Sequence, residues 1–257
     1  FDDPTNFFPR PTPIGVSGWN AALQICATGT LGCRLEDQAG NLYLLSNSHV
    51  LADYGLRTAA GQAMVGDPVI QPGPIDLNCA IAADSTVGSL VAFSGISFNM
   101  NNVNDAAIAF TNPLMFSTAT PCDGYGMPRE ISVPAFPGTE VMKYGRTTKF
   151  TVGDIVAINV TAAITIDPTT GQTATYVGLI DIASNFAYGS YIAGGDSGSL
   201  CVTRNGRFPV GLNFAGNPFR GLAIPIDTAL QLMALQAGIF PPDELTVDGE
   251  PFVFPVP

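Results

Sequence analysis

Residues 194–210 read Gly-Gly-Asp-Ser-Gly-Ser-Leu-Cys-Val-Thr-Arg-Asn-Gly-Arg-Phe-Pro-Val. The dipeptide Asn205-Gly206 is typical of a type I′ turn, because both residues tolerate the positive φ angles that this turn requires. Short runs of apolar residues flank the dipeptide on both sides. This stretch therefore predicts a tight β-hairpin directly after a glycine-rich loop that carries Ser197.

Similar apolar runs recur along the chain and predict further strands. Most of them are separated by turn-forming residues. The predicted strands cover residues 23–34, 42–45, 69–71, 87–93, 106–110, 140–144, 152–166, 174–182, 199–203, 209–213 and 221–225. One helix is also predicted: Asp227 caps it, Gly238 ends it, and Leu230, Met233, Ala234 and Ala237 fall at helical spacing between them.

The composition favours an all-β architecture. Charged residues make up 12% of the 257 positions, which is about half of the usual share. The 28 Gly and 21 Pro residues supply many turns. We therefore predict two antiparallel β-barrels and a late helix. The expected segments are an N-terminal extension (1–13), a first lobe (14–115), a Pro- and Gly-rich connection (116–138), a second lobe with the helix (139–238) and a Pro-rich tail (239–257).

Charge and hydropathy argue against two classes of partner. The formal net charge of −11 would repel a polyphosphate backbone, so nucleic acid is not expected to bind. No apolar run approaches the roughly 20 residues that a membrane-spanning helix needs. The five cysteines allow at most two internal disulfides and leave at least one thiol unpaired. No Cys-x-x-Cys pair exists and the chain has a single histidine, so neither a metal nor a cofactor is expected.

Ser197 is the candidate nucleophile. A serine hydroxyl attacks an acyl group only when a general base takes its proton and backbone N–H groups stabilise the resulting oxyanion. The neighbouring glycines allow the chain to turn its amides inward, so Gly195 and Ser197 would supply those N–H groups. A Gly-Asp-Ser string is also common in ordinary surface turns, and the motif alone leaves that alternative open.

His49 is the only histidine and therefore the only candidate for a histidine base. It follows the apolar run Tyr43-Leu44-Leu45, in a segment rich in Ser and Asn. A lone histidine is more often a surface residue or a hydrogen-bonded core residue than a catalyst. Asp105, at the head of the strand-like run 106–110, is the candidate carboxylate. It could instead cap that strand, but a buried carboxylate needs a partner, and His49 could be that partner.

These three segments together resemble the chymotrypsin-like serine peptidase family. The matching stretches are Ser46-Asn47-Ser48-His49-Val50, Asp105-Ala106-Ala107-Ile108-Ala109 and 194–199, and their order along the chain is that of the family. The resemblance covers residues 14–237. It implies that His49 and Asp105 lie in the first barrel, that Ser197 lies in the second, and that the active site occupies the cleft between the barrels.

Lys143-Tyr144-Gly145-Arg146-Thr147-Thr148 narrows the resemblance to bacterial streptogrisin and α-lytic peptidases, which have a Gly-x-Thr-Thr stretch. In those relatives a basic residue of this stretch pairs with the aspartate before the nucleophile. The resemblance therefore implies an ion pair from Asp196 to Lys143, or alternatively to Arg146. Both cations could equally be ordinary surface residues.

The family positions also imply where the substrate side chain would bind. The segments Tyr191-Ile192-Ala193 and Asn213-Phe214-Ala215 would line the primary pocket. Neither segment carries an acidic residue, so a preference for Arg or Lys is not expected. Ala193 and Ala215 indicate a neutral or apolar side chain. Asn213 stands where Glu-preferring bacterial relatives place a histidine, which leaves a polar side chain open.

The cysteines depart from the family pattern. Relatives often have a disulfide whose second cysteine follows the catalytic histidine directly, but Val50 occupies that place here. Cys33 therefore lacks the partner that the resemblance would give it. Cys201, four residues after Ser197, is expected to pack as a small apolar residue.

The resulting prediction is a serine endopeptidase that acts on peptides or proteins, with His49 as base and Asp105 as the acid that orients it. The alternative is a peptide-binding or self-processing scaffold with little turnover. An α/β lipase or esterase is disfavoured, because its serine would precede its histidine in the chain. The resemblance to secreted enzymes favours export from the cell. The sequence does not determine the oligomeric state.

Overall fold

The computed structural model describes residues 3–56, 61–167 and 169–252. Its strands are β1 (Val16–Asn20), β2 (Gly29–Leu31), β3 (Cys33–Glu36), β4 (Leu42–Ser46), β5 (Pro68–Ile70), β6 (Thr86–Phe93), β7 (Ala107–Thr111), β8 (Glu140–Gly145), β9 (Lys149–Asp167), β10 (Gln172–Ser184), β11 (Leu200–Thr203), β12 (Pro209–Asn217), β13 (Arg220–Pro225) and β14 (Thr246–Val247). Its α-helices are α1 (Ser48–Leu51) and α2 (Ile226–Ala237). Short 3₁₀ turns cover Asp53–Gly55, Pro74–Leu77, Phe186–Tyr188 and Pro242–Glu244.

The first lobe is an antiparallel sheet with the strand order β14-β3-β4-β7-β6-β5-β1-β2. Strands β2 and β3 are two halves of one bent stretch of chain, interrupted at Gly32. The first half pairs with β1 and the second with β4, so the bend brings the sheet round into a barrel. A side chain at position 32 would collide with the carbonyl of Gly198 in the second lobe, so glycine is needed where the lobes meet.

The second lobe is a closed six-stranded barrel with the order β10-β13-β12-β11-β8-β9. Helix α2 follows β13 and ends at Gly238, whose φ of 74° is the left-handed conformation that glycine adopts easily. These two lobes confirm the prediction of an all-β fold with paired barrels and a late helix. Asp227 lies inside the first turn of α2 rather than at its N-cap, which is Pro225.

Strands β9 and β10 form a hairpin that extends beyond the barrel. Burial along β9 changes from almost continuous at its start to alternating in its second half, as expected where a ribbon leaves a closed core. The hairpin reaches the first lobe: Asn102 N donates to Thr175 O at 2.8 Å, and Val177 N donates to Asn102 O at 2.9 Å. It therefore packs beside the segment that leads to Asp105.

Two further local predictions were wrong, and two strands were missed. Within the predicted strand 23–34, residues 23–28 form no strand, and β2 begins only at Gly29. Strands β1 and β14 were not predicted. The β11–β12 hairpin exists, but its connection spans residues 204–208, and only Gly206 and Arg207 within it have positive φ. A type I′ turn would need positive φ at Asn205 as well.

The chain after α2 returns to the first lobe. Its β14 pairs with β3, joining Val247 to Leu35, and Asp248 accepts a hydrogen bond from Arg34 Nε at 2.6 Å. Within the described ranges, no helix is long and apolar enough to cross a bilayer.

Candidate active site

His49 is positioned by the turn that follows β4. Asn47 is the N-cap residue of the short helix α1, and its side-chain amide donates to Asp105 O at 2.7 Å. Ser48 Oγ donates to Ser94 O at 2.5 Å. These buried hydrogen bonds join the His49 turn to the backbone of Asp105 itself and to Ser94, directly after β6, so the two candidate residues have a common support.

Asp105 and His49 form the central pair of the site. The Asp105 side chain is fully buried. Its Oδ2 lies 2.6 Å from His49 Nδ1, and its Oδ1 accepts from the His49 backbone N at 3.0 Å. A buried carboxylate is costly without such partners. Because an ionised carboxylate can only accept, Nδ1 carries the proton in the neutral imidazole, and Nε2 keeps its lone pair.

Tyr54 packs against His49 of this pair. The sequence analysis did not predict this contact. The Tyr54 ring lies against the His49 ring, with the centroids 5.4 Å apart and the ring planes tilted by 33°. The backbone of Asp53 and Tyr54 has positive φ, at 46° and 58°, which turns the chain back over the histidine. Burial raises the pKa of the Tyr54 hydroxyl, and the negative charge of Asp105 raises it further. Tyr54 therefore stays neutral beside the pair.

Ser197 lies in the second lobe, facing the first. Its carbonyl accepts from Thr30 N of β2 at 2.8 Å, which joins the two lobes at the serine. Its Oγ donates to Phe214 O at 3.2 Å, and within the described part of the chain no hydrogen bond joins Ser197 to His49. Ser197 lines a cavity together with Tyr54, and the Tyr54 ring lies against the ring of His49.

The Ser197 loop presents two unpaired backbone donors. Neither Gly195 N nor Ser197 N donates a hydrogen bond to any of the residues that the structure describes. Gly195 has a φ of 98°, and a side chain there would collide with Thr147 Oγ1. Glycine is therefore required, both for the backbone angle and for the close packing of the loop.

Asp196 points away from the cavity and is fully buried. Its Oδ1 accepts from Thr147 N at 2.8 Å and from Thr148 N at 3.0 Å. Its Oδ2 accepts from Thr148 Oγ1 at 2.6 Å and from Ala193 N at 2.9 Å. Lys143 Nζ lies 3.5 Å from the same oxygen. The structure thus places Lys143 at the implied ion pair and gives Asp196 four further donors.

Arg146, the alternative partner of Asp196, makes a different ion pair. Its guanidinium binds Asp76, with Nε 3.1 Å from Asp76 Oδ2 and a second, shorter contact from its terminal nitrogen. Asp76 lies in the first lobe and also accepts from Ser17 Oγ at 2.5 Å. Arg146 therefore connects the lobes rather than supporting Asp196.

The buried Lys143 predicts a pH-dependent stability. Burial lowers the pKa of Lys143 from 10.5 to about 8, although the charge of Asp196 opposes the shift. Between these two pH values the unfolded chain binds more protons than the folded chain, so this residue's contribution to the free energy of unfolding rises with pH. We expect the difference between wild type and Lys143→Met, measured by urea unfolding, to rise over that window by at most about 1.4 kcal/mol per pH unit. Parallel pH profiles for the two proteins would contradict this expectation.

The cavity beside Ser197 has a volume of about 520 Å³. Its lining residues are Tyr54, Ala162, Ala163, Ile164, Thr165, Ile192, Ala193, Gly194, Ser197, Phe214, Ala215, Gly216, Asn217 and Leu222. Four of the six expected pocket residues are among them, namely Ile192, Ala193, Phe214 and Ala215. No side chain that is charged at neutral pH belongs to this lining.

Tyr191 and Asn213 do not line the cavity, which corrects two predictions. Tyr191 is fully buried and fills the space left by Gly153 and Gly221 inside the second barrel. Asn213 is also fully buried, and its Nδ2 donates to Ser199 O at 3.2 Å. Both side chains point into the core, whereas Ile192 and Phe214, their neighbours in the chain, contribute to the cavity.

The wall formed by residues 162–165 of β9 was not expected from the sequence. The strand itself was predicted, but only the folded hairpin shows that its distal half lies beside the cleft. Leu222 and Asn217 were missed for a related reason: they flank the turn between β12 and β13, and their position depends on the pairing of those strands.

The five cysteines form one disulfide and leave three free thiols. Cys26 and Cys79 form a disulfide between two loops of the first lobe. Cys33 and Cys201 are free and buried, while Cys122 is free and exposed. Burial raises the pKa of Cys201 to about 12, so this thiol is an apolar packing group as expected.

Among the described residues, no group of three or more His, Cys, Asp or Glu side chains could hold a metal ion.

Comparisons of the sequence find no relative: no protein-family model matches the chain, and no curated protein matches it. Comparisons of the structure find solved structures with a similar fold. Thermobifida fusca Protease A superposes with a TM-score of 0.58 at 15% identity, over 93% of this chain and all of that one. A Nocardiopsis protease gives 0.57 at 17% identity, over 92% of this chain and 99% of that one.

A third similar structure is that of a glutamic acid specific serine protease that uses a histidine triad in substrate binding. It superposes with a TM-score of 0.57 at 17% identity, over 92% of this chain and all of that one. At such identities the likeness concerns the fold alone. The chain has the double β-barrel fold of bacterial chymotrypsin-like serine proteases.

Proposed function

We propose that this chain is a serine endopeptidase. The observation that carries the proposal is that Ser197 shares a cavity with Tyr54, whose ring lies against a histidine fixed by a buried aspartate. The Ser197 loop also has two backbone N–H groups without a partner among the described residues. Acyl transfer needs these groups together: a base, a nucleophile and donors for the oxyanion.

The mechanism begins with a rotation of the Ser197 side chain. In the free enzyme its hydroxyl donates to Phe214 O. Rotation about the Cα–Cβ bond would turn the O–H away from that carbonyl and direct it towards His49 Nε2, which has its lone pair available. Hydrogen bonds between catalytic groups are often formed only when substrate is bound. Substrate therefore completes the Ser197–His49 contact in this proposal.

The chemical steps follow from the positions of these groups. Ser197 Oγ attacks the substrate carbonyl carbon while His49 takes its proton, and Asp105 stabilises the imidazolium that forms. The N–H groups of Gly195 and Ser197 donate to the oxyanion. Breakdown of this intermediate transfers the His49 proton to the leaving amine and leaves an acyl-enzyme. Water, activated by the same histidine, then hydrolyses the ester.

The cavity lining favours an uncharged, apolar side chain on the amino side of the cleaved bond. Ile164, Ile192, Phe214 and Leu222 contribute apolar surface. A buried charged side chain would find no counter-charge among the lining residues, and burying an unpaired charge is costly. Asn217 and Thr165 are the polar side chains at this cavity, apart from Ser197 and the Tyr54 hydroxyl.

A mixed peptide library, analysed by mass spectrometry, tests both the activity and the preference. We expect cleavage within peptides, after Leu, Met or Phe at least about 100-fold faster than after Lys, Arg, Asp or Glu, judged by kcat/KM. Cleavage mainly after charged residues would contradict the proposed preference. The absence of cleavage at any site would contradict the proposed activity.

The second candidate is a peptide-binding or self-processing scaffold. One observation favours it: Ser197 Oγ is bonded to Phe214 O and not to His49. The same library separates the two candidates. A scaffold would retain peptides without cutting them, or would be cut once within its own chain, whereas a peptidase turns over repeatedly.

We also propose that the chain acts outside the cytoplasm, on peptides or proteins rather than nucleic acid. The Cys26–Cys79 disulfide supports an oxidising compartment. The net charge of −11 opposes binding to a polyphosphate chain.

A further inference from the structure

The loop that supports Asp196 also holds the backbone that precedes it. Thr147 Oγ1 donates to Gly194 O at 2.7 Å. Arg146 Nη1 donates to the same hydroxyl oxygen at 3.2 Å, which leaves the hydroxyl hydrogen free for Gly194. The Thr147 backbone is itself fixed, because its N donates to Asp196 Oδ1 at 2.8 Å.

This hydrogen bond determines where the Gly195 N–H points. The peptide between Gly194 and Gly195 is trans, so its C=O and its N–H point in opposite directions. Thr147 holds the carbonyl oxygen on one side of the peptide. The N–H is therefore directed to the opposite side, where it donates to none of the described residues.

The same peptide would rotate easily without an anchor. Glycine flanks it on both sides, and no atom lies within 4 Å of the position that a Gly194 side chain would occupy. The next peptide has its own anchor, because Thr30 Oγ1 donates to Gly195 O at 2.8 Å. A rotation would therefore be confined to the Gly194–Gly195 peptide, and it would bring a carbonyl oxygen to the place of the N–H.

We propose that Thr147 is a positioning residue for catalysis: by holding Gly194 O, it keeps the Gly195 N–H directed at the oxyanion. This inference rests on the proposed peptidase function. It assigns the Gly-x-Thr-Thr stretch a role beyond the support of Asp196, because the Thr147 hydroxyl does not contact that carboxylate. Thr147 is exposed, so water competes for Gly194 O once the hydroxyl is removed, and the peptide then loses its fixed orientation.

Three variants test the role of Thr147. Thr147→Val removes the hydroxyl while keeping the shape, and Thr147→Ser keeps the hydroxyl. Thr203→Val is the matched control, because Thr203 Oγ1 makes a similar bond to Asn205 O at 2.8 Å in the hairpin connection, away from the cavity. We expect Thr147→Val to lower kcat about 100-fold with KM nearly unchanged, which is typical of losing one oxyanion donor.

The kcat values of the three variants, compared with that of the wild type, decide whether Thr147 has a positioning role. Thr147→Ser is expected to retain most of the wild-type kcat, and Thr203→Val to leave kcat unchanged. If Thr147→Val keeps the wild-type kcat, or if Thr203→Val lowers kcat equally, Thr147 has no positioning role.

Crystal structures of wild type and Thr147→Val provide a readout that needs no turnover. We expect the Gly194 carbonyl to be rotated or to occupy two orientations in the valine variant only. An unchanged carbonyl in that variant would refute the inference. If the wild type proved to have no hydrolytic activity, the proposed function would fail, and with it the catalytic role of Thr147. The orientation of the carbonyl would still decide separately whether Thr147 holds the Gly194–Gly195 peptide.

Discussion

Replacing Ser197 with alanine is expected to lower kcat about 10⁶-fold, because the acyl-enzyme cannot form without the nucleophile. Substrate affinity should change little, since the cavity lining is otherwise intact. The variant should keep its fold, because among the described residues the Ser197 side chain makes a hydrogen bond only to Phe214 O. The measurement is kcat and KM on the best library substrate, together with the thermal unfolding midpoint.

The control for this change is Ser132→Ala. Ser132 Oγ donates to Asp227 Oδ1 at the protein surface, away from the cavity. This variant should retain wild-type turnover. If Ser197→Ala kept more than a small fraction of the activity while Ser132→Ala behaved as expected, Ser197 would not be the nucleophile.

The second large effect on activity is expected from a change to Asp105, the carboxylate that is hydrogen-bonded to His49. Asp105→Asn is expected to lower kcat about 10⁴-fold at neutral pH. The amide nitrogen introduced by this substitution would replace one carboxylate oxygen and would face His49 Nδ1 as a donor. The imidazole would then carry its proton on Nε2 and could not accept the Ser197 proton. Proton-coupled ¹⁵N NMR of the His49 ring would report this change of tautomer directly.

Asp123→Asn is the matched control for the acid. Asp123 accepts from the Tyr144 hydroxyl at 2.9 Å and has no contact with His49. It should leave both the kcat and the His49 tautomer unchanged. If Asp105→Asn left the proton on Nδ1 and retained high activity, the assigned role of Asp105 would be incorrect.

The strands of the fold were largely predictable because burial on one face leaves a period of two in the sequence. The long apolar pattern of 152–166 therefore predicted most of β9. Strand β14 was not predictable in this way, because its two residues are held by pairing with β3 and by the bond between Asp248 and Arg34. Such contacts between distant parts of the chain leave no local pattern.

The proposed catalytic residues could be selected from the sequence because their chemistry restricts the choice. A single histidine leaves one candidate base, and the glycines around Ser197 mark a loop that must turn sharply. The pocket was harder to predict, because it depends on which way each side chain points. Tyr191 and Ile192 are adjacent in sequence, yet Tyr191 faces the barrel core and Ile192 the cavity.

Tyr54 illustrates the limit of such reasoning. Its place over His49 depends on positive φ angles at two consecutive non-glycine residues, which local propensity disfavours. The Asn205-Gly206 turn failed for the opposite reason: local propensity favoured a two-residue turn. Thr203 Oγ1 instead accepts from Phe208 N at 3.0 Å and donates to Asn205 O, which supports a longer connection.

The most direct test of the central claim is to map the residue that reacts with a fluorophosphonate, a reagent that labels serines activated by a neighbouring base. Native protein is treated with the reagent, digested and analysed by peptide mass spectrometry, with protein unfolded in urea as the control. The account predicts one phosphonyl group, on Ser197, in the native protein and none in the unfolded protein. Labelling at another residue, or no labelling of the native protein, would contradict it.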